Sequence, residues 1–290
     1  MIRRGLGIPL RKRCIVLGDE ETEVEVFRVL RIITTERLNP LIKLKGKDLV
    51  TAWFQGAQGA YHPFREIASE VNALIVRVVH YLNWRNGIHH KDPSLNNLMY
   101  RESQGHICAV LNDWDLASDA MKPHTHTGFE TTGTLQFMAI DRLERKALNG
   151  AVPHLYRHDL EAFIWILVWV VYCIKDGKLL EPLPESLKNL TSGDANLCQH
   201  AKFHFVKFGH NVIQPSPTWV AESRLTEYLR LYLNKVNSRS AAVVFDVTEN
   251  TVPPKEEDEP EKEWKDFLQV LREASQRGPT QDYILDLLTE

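Results

Sequence analysis

The sequence predicts an α+β protein, with strands near the N-terminal end and in one later hairpin, and helices through most of the rest. Three observations carry this expectation: β-branched runs between residues 14 and 45, apolar residues spaced three and four apart between 63 and 85, and the unbroken apolar run AFIWILVWVVYCI at 162–174. Hydrophobic residues make up 43% of the chain and charged residues 25%, which fits a packed globular protein rather than a disordered one. A chain of 290 residues can bury a large core without being forced into two domains. The net charge of −3 argues against general nucleic-acid binding, which needs a basic surface.

Taken in order, RCIVLG and EVEVFRVLRIITTE read as strands joined by the turn GDEET, followed by a short helical stretch near 46–55. Ile67, Val71, Leu74, Ile75, Val78, Val79 and Leu82 then fall on one helical face. Pro63 suits the first turn and RNG the end, which gives a helix of about six turns. Residues 97–101 and 107–112 read as two strands around a turn at 103–105. The apolar run at 162–174 would span about 20 Å as a helix, short of the ~30 Å hydrocarbon layer, so it reads as a helix buried on all sides. Further helices are expected in NLCQHAKFHFVKF, WVAESRLTEYLRLYLNKV and WKDFLQVLREAS, and TVPPKEEDEPEKE reads as a proline-and-charge linker. Cys14, Cys108, Cys173 and Cys198 lie far apart with no CxxC pair, as expected of reduced thiols in a cytoplasmic or nuclear protein. The basic N-terminal stretch lacks the apolar centre of a secretory signal, and no membrane association is expected.

The polar residues with chemical potential cluster on either side of the predicted hairpin. His90, Asp92 and Asn97 lie in the loop HHKDPSLNN before its first strand, and Asp113-Trp114-Asp115 follows its second. Folding of the hairpin would bring the two groups together. His89 reads as a surface residue. His200 and His204, one helical turn apart, have the spacing of a metal pair but read as a solvated face without a third ligand.

HKDPSLNN resembles the catalytic loop of protein kinases, and NDWDLAS the metal-binding segment that follows it. GTLQFMAID resembles the end of an activation segment, and HDLEAFIWILVW the buried central helix of the large lobe. The particular wording is similar to the fungal-type protein kinase family, in the same order, over residues 14–235. The resemblance implies a protein kinase-like α+β fold with a mostly α-helical large lobe and a reduced β small lobe. Residues 1–45 would supply the last small-lobe strands and the hinge, 46–250 the large lobe, 251–263 an acidic, proline-containing linker, and 264–290 a C-terminal helical tail.

It also implies an ATP- and Mg2+-dependent phosphotransferase acting on protein serine or threonine hydroxyls. Asp92 would orient and deprotonate the acceptor hydroxyl, and His90 would brace the catalytic loop. Asn97 and Asp113 would hold magnesium and, through it, the nucleotide phosphates. Asp159 would hold the catalytic loop by accepting its N–H groups. Asp141 stands where the family carries glutamate, and its shorter reach puts an ion pair with a distal arginine in question. No feature specifies an oligomeric state. Residues 1–45 offer no match to the family's glycine-rich loop, strand lysine or helix glutamate, Lys91 replaces an arginine, and Asp115 replaces a glycine. The resemblance therefore leaves two readings open, an active kinase and a catalytically impaired pseudokinase or fragment acting as a binding module. A small-molecule kinase is a variant of the first, though GTLQFMAID favours a protein acceptor.

Overall fold

The computed structural model describes residues 15–17, 20–22, 37–58, 80–114, 117–119, 133–150, 152–211, 213–245, 257–276 and 281–289. The chain divides into two units, Met1–Arg37 and Leu38–Glu290. In the first, β1 (Ile15–Leu17) pairs antiparallel with β2 (Glu20–Thr22). Glu20, Glu21 and Thr22, expected in the turn, are thus strand residues. The other residues expected to form small-lobe strands, 23–36, and most of the helix expected over 63–85 lie outside the described residues.

The second unit is mixed helix and sheet. It opens with β3 (Asn39–Pro40) and α1 (Gly46–Gln58), longer than the helical stretch expected at 46–55. α2 (His80–Arg85) ends where the Asn86 and Gly87 amides bond back to the Asn83 and Trp84 carbonyls. Gly87 has φ 81°, a conformation natural to glycine after a helix. β4 (Ile88–His89), β5 (Leu98–Ser103), β6 (His106–Leu111) and β7 (Ser118–Asp119) follow. β5 and β6 form a hairpin with Leu98 opposite Leu111, β3 pairs with the outer edge of β5, and β4 pairs separately with β7.

After the four-residue α3 (Arg145–Leu148) comes α4 (Tyr156–Cys173), in which every residue is buried. Its apolar surface all round requires partners on every side. α1, α6 (Val220–Phe245) and α7 (Pro260–Ser275) supply them, and α8 (Gln281–Thr289) packs on α1 and α7. A short β8 (Ile174–Lys175)–β9 (Lys178–Leu179) hairpin leads towards α5 (Ala195–Phe208). α5 starts at Asp194, whose Oδ1 accepts the Asn196 and Leu197 amides at 2.8 and 3.1 Å. Among the described residues no helix is long and apolar enough to cross a membrane.

Two features differ from the expected domain plan. Residues 38–45 belong to the larger unit, because Leu41 and Leu44 are buried in its core and β3 joins its sheet. Of the stretch expected as a linker, residues 260–263 are already helical. Asp258 accepts Trp84 Nε1–H at 2.6 Å and the Tyr156 amide at 2.8 Å. Trp264 stacks on Phe54 and Tyr81, and Phe267 meets the Trp53 ring at a tilt, so the C-terminal helices complete the core around α4.

Gly56 on α1 lets Leu98 and Phe163 close over the helix: a Cβ there would lie 2.5 Å from Leu98 Cδ1 and 3.3 Å from Phe163 Cε1. Both partners are fully enclosed and have little room to retreat. Gly56→Val should cost about 2–3 kcal/mol in urea denaturation through overpacking. A loss below roughly 0.5 kcal/mol, an ordinary surface-mutation value, would show that Leu98 repacks freely.

Candidate active site

The loop between β4 and β5 is pinned at both ends. Ile88 and His89 pair with Asp119 and Ser118, and the Asn112 amide donates to the Asn97 carbonyl at 2.8 Å where the hairpin begins. Asn97 therefore faces Asn112, one residue from Asp113. Sequence spacing alone juxtaposes these residues once the hairpin forms.

Within the loop, His90 is fully buried. Its Nδ1 accepts the Asp92 amide at 3.2 Å, so Nε2 carries the proton and donates to the Asn112 carbonyl at 2.8 Å. Burial lowers its pKa, which keeps the ring neutral and suits this tautomer. The Trp114 ring meets His90 edge-on at 4.5 Å. His90 thus ties the loop to the segment carrying Asp113. His89, expected at the surface, is instead half-buried and stacked on Trp84 at 3.7 Å, and burial lowers its pKa to about 4.

Asp92 Oδ1 accepts the Thr134 amide at 2.9 Å, while Asn97 Nδ2 donates to the Asp92 carbonyl at 3.0 Å and more loosely to Oδ2 at 3.4 Å. Burial raises the Asp92 pKa. Hydrogen bonds from Thr134 and the field of His90 offset part of this, and repulsion from Asp113 adds to it. Because Asn97 Nδ2 is committed to Asp92, its amide oxygen is the atom left to meet a cation. Asp113 is exposed, with φ 59° in the left-handed region that aspartate tolerates better than most side chains. An amide oxygen and a carboxylate are the hard donors that magnesium takes, with phosphates and water filling its other positions, so the residues present fit that ion.

Lys91 also lies in the left-handed region, at φ 71°. Strain of this kind persists only where surrounding contacts over-determine it. Here the Lys91 amide donates to Asp159 Oδ2 at 3.2 Å. Asp159, on the first turn of α4, also accepts His80 Nε2 at 2.8 Å and His154 Nε2 at 2.6 Å. Burial alone would raise its pKa, but the charge of His154 and the hydrogen bonds from both rings hold it well below the usual carboxylate range.

Asp141 is met by Arg157 Nη2 at 2.5 Å and His158 Nε2 at 3.1 Å. Its short side chain reaches an arginine two residues before Asp159, so the partner sits at the start of the same helix. Burial opposes its charge, yet His158 and Arg157 hold its carboxyl far below normal. His158 Nδ1 accepts the Leu155 amide at 2.9 Å, completing a helix start that lacks a polar capping residue. His200 and His204 both lie exposed on α5.

Sequence reasoning missed Thr134 as a backbone donor to Asp92, and His80 and His154 as partners of Asp159. His80 lay on a predicted helix but was not marked, since nothing local shows that its ring turns inward.

All six residues named from the sequence, His90, Asp92, Asn97, Asp113, Asp141 and Asp159, fall within residues 72–171, which match the family model described as fungal protein kinase. Over that stretch the chain is similar to fungal protein kinases. No curated protein matches the chain. The stretch typical of fungal protein kinases runs from before α2 to within α4 and so spans the catalytic-loop, Asp113 and Asp159 segments, while α5 to α8 lie beyond it.

Proposed function

We propose that this fungal-type kinase chain transfers the γ-phosphoryl group of Mg·ATP to a serine or threonine hydroxyl of a protein. The observation that carries the reading is the Asp92 carboxylate, held between the Thr134 amide and Asn97 and adjoining the Asn97–Asp113 pair. The acceptor hydroxyl donates its hydrogen bond to Asp92, its oxygen bonds to the γ-phosphorus as the bond to the ADP oxygen breaks, and its proton passes to Asp92. Asn97 and Asp113 would hold the cation, which would supply neutralisation of charge on the phosphate oxygens. Residues 133–143, in which the Thr134 amide caps Asp92, offer the surface for a protein acceptor.

A second reading, a binding module without turnover, is favoured by residues 1–45, where no glycine-rich loop or strand lysine matches the family. Positioning of the phosphates contributes much of the rate in this reaction. The two readings separate in a thermal-shift titration with Mg·ATP. Saturation at about 100 Kd stabilises by roughly 2.7 kcal/mol, a shift of a few degrees. The kinase reading expects that shift in the wild type and its loss in Asp113→Ala. The absence of a shift in both proteins favours the binding module.

A further inference from the structure

Lys202 on α5 is 0% exposed, unusual for a lysine. Its ammonium donates to the Met138 carbonyl and lies 4.6 Å over the Trp165 ring. Two neighbours on α5 act on the same segment: Cys198 Sγ donates to the Leu135 carbonyl at 3.3 Å and Gln199 Nε2 to the Ile140 carbonyl at 2.9 Å. From α4, Glu161 Oε1 accepts both the Ile140 amide and Trp165 Nε1 at 3.0 Å. Four side chains from two helices thus take up the backbone of residues 135–140. The Met138 amide in turn bonds to the Thr134 carbonyl at 3.1 Å, and the Thr134 amide bonds to Asp92. A continuous path of contacts runs from Lys202 to Asp92.

A buried charge is poor value as a stabiliser, since an apolar side chain of similar volume usually does as well or better. A lysine placed there needs another use, and its hydrogen bond to the Met138 carbonyl points to it. We propose that Lys202 is a positioning residue which, through the Met138 carbonyl, fixes residues 134–140 and with them the acceptor surface and the hydrogen bond given to Asp92. The acceptor-surface part rests on the kinase reading, whereas the positioning of the segment does not.

Burial lowers the Lys202 pKa from 10.5 to about 8, against the raising influence of Cys198 on its own helix and Glu161 on α4. Asp141 and Arg142 in 140–143, Lys188 in 188–191, and Glu227 and Arg230 on α6 are other charged groups of elements packed on α5. The ammonium–carbonyl bond is therefore at full strength below about pH 8 and weakens above it. Because the folded pKa lies below the unfolded one, the buried ammonium opposes global stability at neutral pH. Clamping of the segment and global stability thus respond in opposite directions.

The test is amide hydrogen exchange of Phe137, Met138 and Ile140 in the full chain, corrected for intrinsic rates, across pH 7 to 9 (roughly one unit either side of the lysine's transition). The wild type should show a step of several-fold towards faster exchange as pH rises through the transition. Lys202→Met should exchange about tenfold faster at pH 7, with no step and with its melting temperature kept or raised. Absence of the step in the wild type overturns the proposal even if the variant does not fold, and so does unchanged protection in a folded Lys202→Met. Where transfer to a serine- and threonine-containing peptide array is measurable, the variant should raise the acceptor KM about tenfold with the ATP KM unchanged. An unchanged acceptor KM overturns the acceptor-surface part. The exchange step without any transfer overturns the kinase reading alone.

Discussion

Asp92→Ala is expected to lower phosphoryl transfer by roughly 10²–10⁴-fold, the usual contribution of a positioned proton acceptor. Removing the carboxylate leaves the acceptor hydroxyl without a partner for its proton and frees the Thr134 amide and Asn97. The fold should survive. Burial raises the Asp92 pKa, so in the folded chain the proton is held more tightly than in the unfolded one. Its stabilising contribution is therefore present at low pH and lost as pH rises through the raised pKa, which means the ionised group gives folding no support at neutral pH. Asp92→Asn should melt no lower than the wild type. The same shift sets the pH profile: turnover should fall on acidification through a pKa above the usual ~3.9 of aspartate. Transfer in Asp92→Ala at the wild-type rate would remove Asp92 from the mechanism.

Asp159→Ala should have the largest effect on stability, about 3–5 kcal/mol in chemical denaturation, the cost of removing one member of a buried charged network. The change leaves the His80 and His154 rings and the Lys91 amide without their shared acceptor, all close to the loop that carries Asp92. Lys91 at φ 71° would lose the contact that holds it there, so turnover should fall as well. The pH dependence has the opposite sign from that of Asp92. The Asp159 pKa is depressed on folding, so its stabilisation is present above the unfolded value near ~3.9 and is lost as pH falls through the folded one. The stability gap between wild type and Asp159→Ala should therefore close in strong acid. A loss below ~1 kcal/mol at neutral pH, the scale of one ordinary hydrogen bond, would mean that the loop is anchored elsewhere.

Much of this site is legible in the chain because its key contacts are local. His90, Asp92 and Asn97 lie on one short loop, and β5–β6 pairing must carry Asn97 to Asp113 once residues 97–112 fold back. Thr134 reaches Asp92 across 42 positions and His80 reaches Asp159 across 79, in both cases by the packing of separate elements. Asp258, read as part of a linker, meets Tyr156 across 102 positions because α7 lays Trp264 and Phe267 against α1 and α2 and so draws the preceding residues to the start of α4.

By itself, then, the sequence determined the mixed α and β class, the loop-and-hairpin arrangement of the polar residues, and the buried character of α4. Each follows from spacing along the chain, where the periods of strand and helix act over a few residues. Only the tertiary structure decided how the carboxylates are charged and held. The low pKa of Asp159, the raised pKa of Asp92 and the enclosure of Lys202 arise from burial beside partners on other elements. Desolvation and short-range electrostatics depend on neighbours in space, and those neighbours exist only after α4, α5 and the loop before β5 have packed together.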